Sequence, residues 1–177
     1  IFVFYPGKAG GAFIKQYAQA GLQGKIPLYS VFTVDSIALP KLQKANMNGV
    51  MGSVMTQFWA PDLDTPQNKK FVSGFKKKYG RYPSFYAAQS YDTIFLIKSA
   101  VEAVKGDLSN KDGMRAAMEK ANFPSVRGKF SYGNNHFPIQ NFYSREVVKD
   151  SDGVWTTSVR EVVLKNHQDT YAKDCSM

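Results

Sequence analysis

Residues 1–22 read IFVFYPGKAGGAFIKQYAQAGL. An apolar run from Ile1 to Tyr5 passes directly into a Gly-rich loop, and the loop directly into a helix. A continuous apolar stretch of this kind is expected for a strand covered on both faces of a parallel sheet. From Gly10 onward, Phe13, Ile14, Tyr17 and Ala18 recur on one face, with Lys15, Gln16 and Gln19 opposite, which is an amphipathic helix. Gly21 and Gly24 end it. A second apolar run, IPLYSVFTV at 26–34, follows about 25 residues after the first, the spacing of a βαβ unit. SIALPKLQKA at 36–45 reads as a short helix or broken turn, and GVMGSVMTQFW at 49–59 as a third strand.

The Gly-rich loop does not have the form of a nucleotide cradle. A dinucleotide fingerprint needs G-x-G-x-x-G because each glycine meets a separate steric need. Here the glycines are Gly7, Gly10 and Gly11. A Walker loop needs Gly-Lys followed by Ser or Thr, and Gly7-Lys8 is followed by Ala9. What survives is a placement: in open α/β sheets, ligands sit beyond the carboxyl ends of the strands, where Tyr5–Gly11 lies.

Further along, Thr65 and Pro66 open a helix whose stripe is Phe71, Val72, Phe75 and Tyr79, closed by Gly80 and Pro83. Ser84 caps the next helix, which runs to Gly106 and is apolar around most of its girth, as a central buried helix would be. A Ser109/Asp112 box starts another helix, ending near Ala121. The texture then changes to alternation with turn residues, and Asp152-Gly153 marks a hairpin. The chain is therefore α/β.

The composition supports a sizeable core: 177 residues, 44% apolar, with 13 Phe and 10 Tyr. The longest apolar runs fall well short of the ~18 residues of a membrane span. The net charge of +9 raises nucleic acid as a partner. However, the lysines cluster as NKK and FKKKYG on one helix face, without an RNP pattern, zinc finger or helix-turn-helix. They read as a solvated face, and no nucleic acid partner is expected. His136 and His167 have no partner at metal or triad spacing and read as loop histidines. Asp62 and Asp64 lack the Gly and Glu of a calcium loop, and helix capping accounts for them. Neither a catalytic residue, a metal nor a cofactor is expected. Cys175 stands alone, suited equally to a bridge outside this chain or to a free thiol.

Three stretches, at 1–30, 49–101 and 126–148, together resemble periplasmic binding proteins of the type I fold. More narrowly, they are similar to the group for branched-chain amino acids, amides and aromatic compounds that serves ABC importers. The family pattern N-x-x-F-x-x-x-F-x-x-x-Y-G-x-x-P-x-x-Y-A-A-x-x-Y-D is met at Asn68, Phe71, Phe75, Tyr79, Gly80, Pro83, Tyr86, Ala87, Ala88, Tyr91 and Asp92.

The resemblance implies two Rossmann-like parallel-sheet lobes joined by crossing strands, of which this chain is the second half. Residues 1–60 would then belong to the C-terminal lobe (βαβαβ) and 61–128 to helices of the N-terminal lobe. The remaining 129–177 would be a hinge crossing, a β ribbon and a C-terminal tail. It implies as partners a small-molecule ligand, a membrane permease and the missing N-terminal half, where a signal peptide would lie, in a periplasmic protein. Cys175 would pair with a Cys in that half. The helix from Phe85 would expose an apolar face without its sheet. Ligand contacts carried over from the family fall on Tyr5, Pro6, Gly7 and Lys8, and on Phe32, Thr33 and Asp35. Where the amino acid binders place a Glu for the ligand ammonium, this sequence aligns Phe32. A buried ammonium without its carboxylate costs several kcal/mol, so an aromatic acid of the benzoate or hydroxybenzoate kind fits better than leucine. The other readings are a branched-chain amino acid or amide ligand, a sensor of the same fold, and a nucleotide-dependent α/β enzyme. Phe32 could also simply pack its loop, and Lys8 could simply be exposed.

Overall fold

The computed structural model describes residues 1–175. The first strand, β1 (Phe2–Val3), leads to helix α1 (Lys8–Gln19), then β2 (Tyr29–Ser30), α2 (Leu39–Lys44), a 3-10 turn (Asn48–Val50) and β3 (Val54–Gln57). The three strands are parallel, with Val3 beside Ser30 and Ser30 beside Met55. Three helices follow: α3 (Pro66–Tyr79), α4 (Phe85–Ala103) and α5 (Lys111–Glu119). The chain returns through β4 (Ser131–Tyr132) into the long ribbon β5 (Pro138–Lys149) and β6 (Trp155–His167). β5 lies antiparallel between β3 and β6, which makes the sheet mixed.

Two buried clusters organise the packing. Val3, Ile14, Leu28, Leu39, Met55 and Trp155 form one beneath α1 and α2. Phe58, Trp59, Phe71, Phe85, Val126 and Tyr143 form the other, against α3 and α4. β5 contributes to both, Val147 to the first and Tyr143 to the second. The segment after β3 is held by fully buried Asn68. Its Oδ1 accepts from Trp59 Nε1 at 2.8 Å, and its Nδ2 donates to the carbonyls of Ala60, Pro61 and Leu63. Asp92 of α4 does similar work. It accepts from Ser125 Oγ (2.6 Å), the Val126 N–H (2.9 Å) and Arg127 Nε (2.9 Å), so both its carboxylate oxygens are matched.

Thr65 and Ser84 cap α3 and α4 as expected. Gly80 ends α3 in the left-handed conformation, and the hairpin turns at Asp152-Gly153. Elsewhere the structure departs from expectation. Only Phe2–Val3 of the first run is strand, with Val3 buried and Phe2 74% exposed, because α1 covers one side alone. α5 is capped by Asn110, whose Oδ1 accepts from the Gly113 N–H at 2.9 Å; the Ser109 hydroxyl instead turns to Asp107. α4 buries Phe85, Ala88, Asp92 and Ala100 but leaves Ile94 65% exposed, and among the described residues nothing covers that face. Asp62 and Asp64 cap no helix: Asp62 accepts from Ser158 and Val159 of β6, and Asp64 pairs with Lys69.

Candidate functional site

Two loops leave the carboxyl ends of adjacent parallel strands and meet over the sheet. The first follows β1 and enters α1 through Gly7, which takes φ 72° and lets the helix begin at Lys8. The second follows β2, and in it Phe32 takes φ 57°, a left-handed conformation that costs an L-residue roughly 1–2 kcal/mol. Such strain persists only where surrounding contacts impose it. Here the Phe32 ring stands edge-on to Phe85 of α4 (centroids 4.9 Å) and to Phe4 (5.8 Å). The Thr33 hydroxyl clasps the loops together. It accepts from the Tyr5 N–H at 2.9 Å and lies 3.1 Å from the Val31 carbonyl, to which it donates.

Together the loops wall a cleft of about 610 Å³, in the range of small-molecule sites. Its lining comprises Pro6, Gly7, Lys8 and Gly11 from the first loop and α1. Phe32, Thr33, Asp35, Ile37, Ala38, Lys41 and Leu42 come from the second loop and α2. Tyr86 reaches it from α4, beyond the other buried cluster. Six of the seven residues expected to contact ligand therefore border one space. Tyr5 does not. Its ring tilts against Phe13 (5.6 Å) and faces a separate hollow beside α1.

The chemistry of the lining is apolar with few charges. Lys8 and Lys41 are exposed at the rim. Asp35 is partly committed, because its Oδ1 accepts from the N–H groups of Ile37 and Ala38, both at 2.9 Å, and so shapes the turn into α2. On β5, burial pushes the Arg145 guanidinium down to about 10, with the carboxylates of Asp35 and Asp62 acting in the opposite direction. His136 pairs with Glu119 on the surface, and His167 stands edge-on to Phe142 at the end of β6. Among the described residues, no group of three His, Cys, Asp or Glu could hold a metal. No described helix is long and apolar enough to cross a membrane. Ile37, Ala38, Lys41, Leu42 and Tyr86 also line the cleft without being expected as contacts. Only Tyr86 carried a signal, its place in the family pattern.

Residues 1–153 match a family model described as periplasmic binding protein. A Leu/Ile/Val-binding protein homolog of Brucella abortus is 31% identical over 163 residues, 88% of this chain and 40% of that protein. An ABC-transporter solute-binding protein from R. palustris, solved with benzoate, is 31% identical with a TM-score of 0.79, covering 96% of this chain and 44% of that one. Another from Rhodopseudomonas palustris BisB5, solved with 3,4-dihydroxybenzoic acid, is 29% identical with a TM-score of 0.81, over 96% and 46%. The chain thus spans less than half the length of these relatives. All of them are solute-binding proteins.

Proposed function

The chain belongs to the periplasmic binding protein family, and from that premise we propose that it is the second half of an extracytoplasmic solute-binding subunit of an ABC importer. Its partners are then the N-terminal half of the same protein, a membrane permease and a small carboxylate, an aromatic acid, held between lobes that close by hinge motion. Residues 1–60 belong to the C-terminal lobe, 61–128 to N-lobe helices, and 129–177, of which 176–177 lie outside the described residues, to a hinge crossing, ribbon and tail. The exposed face of α4 is where the N-lobe sheet packs.

The observation that carries this reading is the composition of the cleft. Phe32 and Tyr86 supply aromatic walls, and Lys8 and Lys41 supply ammonium groups; by the family resemblance, Phe32 aligns with the Glu that amino acid binders use. Rings pack favourably by offset or edge contacts, about 0.5–1.5 kcal/mol per pair beyond area burial. The benzoate and hydroxybenzoate complexes among the relatives support it. A branched-chain amino acid is the second reading. It is favoured by the name of the Brucella relative and by the Asp35 carboxylate at the cleft wall.

Phe32→Glu in the full-length protein tests the choice. It sets a carboxylate against an anionic ligand, so calorimetric titration should show benzoate affinity falling by tenfold or more, about 1.4 kcal/mol at the least. Unchanged benzoate affinity would remove Phe32 from the site.

A further inference from the structure

The hairpin that joins β5 to β6 is held from two directions, and both holds lead to the cleft. Asp150, where the turn begins, divides its carboxylate between two tasks. Oδ1 accepts from the Asp152 N–H at 2.9 Å and the Val154 N–H at 2.8 Å, which closes the turn. Oδ2 accepts from the Tyr82 hydroxyl at 2.8 Å and lies 3.5 Å from Lys76 Nζ. That ammonium also stands 4.2 Å from the centroid of the Tyr82 ring. Burial, and then the bond to Asp150, push the Tyr82 hydroxyl above its ordinary range, so it keeps the proton it donates. On its other side the turn meets α2. Gln43 Nε2 donates to the Gly153 carbonyl at 2.9 Å, and Gln43 Oε1 accepts from the Trp155 N–H at 2.9 Å.

Each anchor adjoins a cleft wall. Gln43 follows Lys41 and Leu42, which line the cleft on α2, and Tyr82 lies one helical turn ahead of Tyr86, which lines it from α4. At the cleft these walls touch through the rings of Phe32 and Phe85, 4.9 Å apart. The hairpin joins them a second time, through residues that do not line the cleft. The ribbon does not depend on these bonds for its place in the core, because Val147 and Trp155 are buried in the cluster beneath α1 and α2. Between α3 and the ribbon lies a hollow of about 440 Å³, bordered by Lys76, Tyr82, Asp150 and Thr156, whose buried hydroxyl has no partner. A close-packed interior would resist displacement. This seam is polar and unfilled, so the hydrogen bonds at the hairpin set the spacing across it.

We infer that the β5–β6 hairpin is a clasp that fixes the separation of the α2 and α4 walls, and with it the width of ring the cleft accepts. Tyr82, Asp150 and Gln43 are positioning residues, which act through the walls and touch no ligand. A site already held at its bound spacing binds more tightly, because less ordering is left for the ligand to impose. The inference deepens the aromatic-acid reading given above and rests on it for the choice of probes.

The test uses the full-length protein carrying Tyr82→Phe and Gln43→Met, singly and together. Tyr82→Phe keeps the ring under Lys76 and removes only the hydroxyl that bonds Asp150. Titration with benzoate and with the wider bicyclic acid naphthoate should show the benzoate-to-naphthoate affinity ratio of the double variant falling about tenfold, and that of each single variant falling less. A second readout needs no ligand. Nitroxide labels in place of the exposed Lys44 on α2 and the exposed Gln89 on α4 report the wall separation by pulsed electron resonance. The double variant should give a broader and longer distance distribution than the protein with the clasp intact. Bonds that served stability alone would lower the urea midpoint and leave both readouts where they were. An unchanged distance distribution, or an unchanged affinity ratio, overturns the inference. A wild type that binds neither acid sinks the aromatic-acid reading, and the distances then decide the clasp without it.

Discussion

Gly10 and Gly11 are adjacent in the first turn of α1, yet a methyl group at each has opposite consequences. Gly10 is buried beneath the clasp formed by the Tyr5 N–H and the Thr33 hydroxyl. A Cβ there would press on the Tyr5 carbonyl oxygen, well inside contact distance, and lie 3.0 Å from the Thr33 carbonyl and 3.1 Å from its methyl. Two of these obstacles are backbone and cannot rotate away. Overpacking of this kind costs about 1–3 kcal/mol. The helix-propensity gain of Ala over Gly returns about 1 kcal/mol. With backbone in the way the upper part of the range applies, so Gly10→Ala should lose about 2 kcal/mol net. At Gly11 nothing lies within 4 Å of an added Cβ. Gly11→Ala should therefore gain about 0.5–1 kcal/mol. Because Gly11 borders the cleft, the comparison is made without ligand. Urea unfolding of the ligand-free, full-length variants measures the difference, provided the slope m is unchanged. Equal midpoints for the two variants would refute the close approach of the loops at Gly10, and with it the geometry of the cleft.

Asp92→Asn would leave Arg127 buried without its carboxylate, so a loss of about 3–5 kcal/mol is expected in the same unfolding assay, and Asp92→Asn/Arg127→Met should recover most of it. If the protein matures in an oxidising compartment, Cys175, unpaired among the described residues, should bridge to the other half. Thiol titration of the unfolded, unreduced full-length protein should then find Cys175 blocked, and a free Cys175 thiol rejects the pairing.

Local chemistry made much of the fold legible. Thr65 and Ser84 could be recognised as caps because a hydroxyl before an apolar helical stripe has one favoured partner, the N–H three residues on. The βαβ order followed from apolar runs separated by an amphipathic helix, and the placement of Lys8, Phe32 and Asp35 followed from that order with the family resemblance. Strand lengths were not legible. The run 26–34 keeps its apolar character after Ser30, but Phe32 turns left-handed and Thr33 folds its hydroxyl back onto the chain, so pairing stops at Ser30. Tyr5 looked like a cleft residue from its position, yet its ring packs on Phe13, a choice of rotamer that no spacing encodes. Tyr86 enters the cleft from a helix some fifty residues on, which only tertiary packing decides.

The central claim is that this cleft takes an aromatic carboxylate in preference to an α-amino acid. Calorimetric titration of the full-length protein with benzoate and with leucine tests it directly. Benzoate should saturate a single site with a negative heat-capacity change, as expected for burial of an apolar ring. Leucine, whose ammonium finds Phe32 where a carboxylate is needed, should bind about 100-fold more weakly or worse. Leucine binding as tight as or tighter than benzoate would contradict the account.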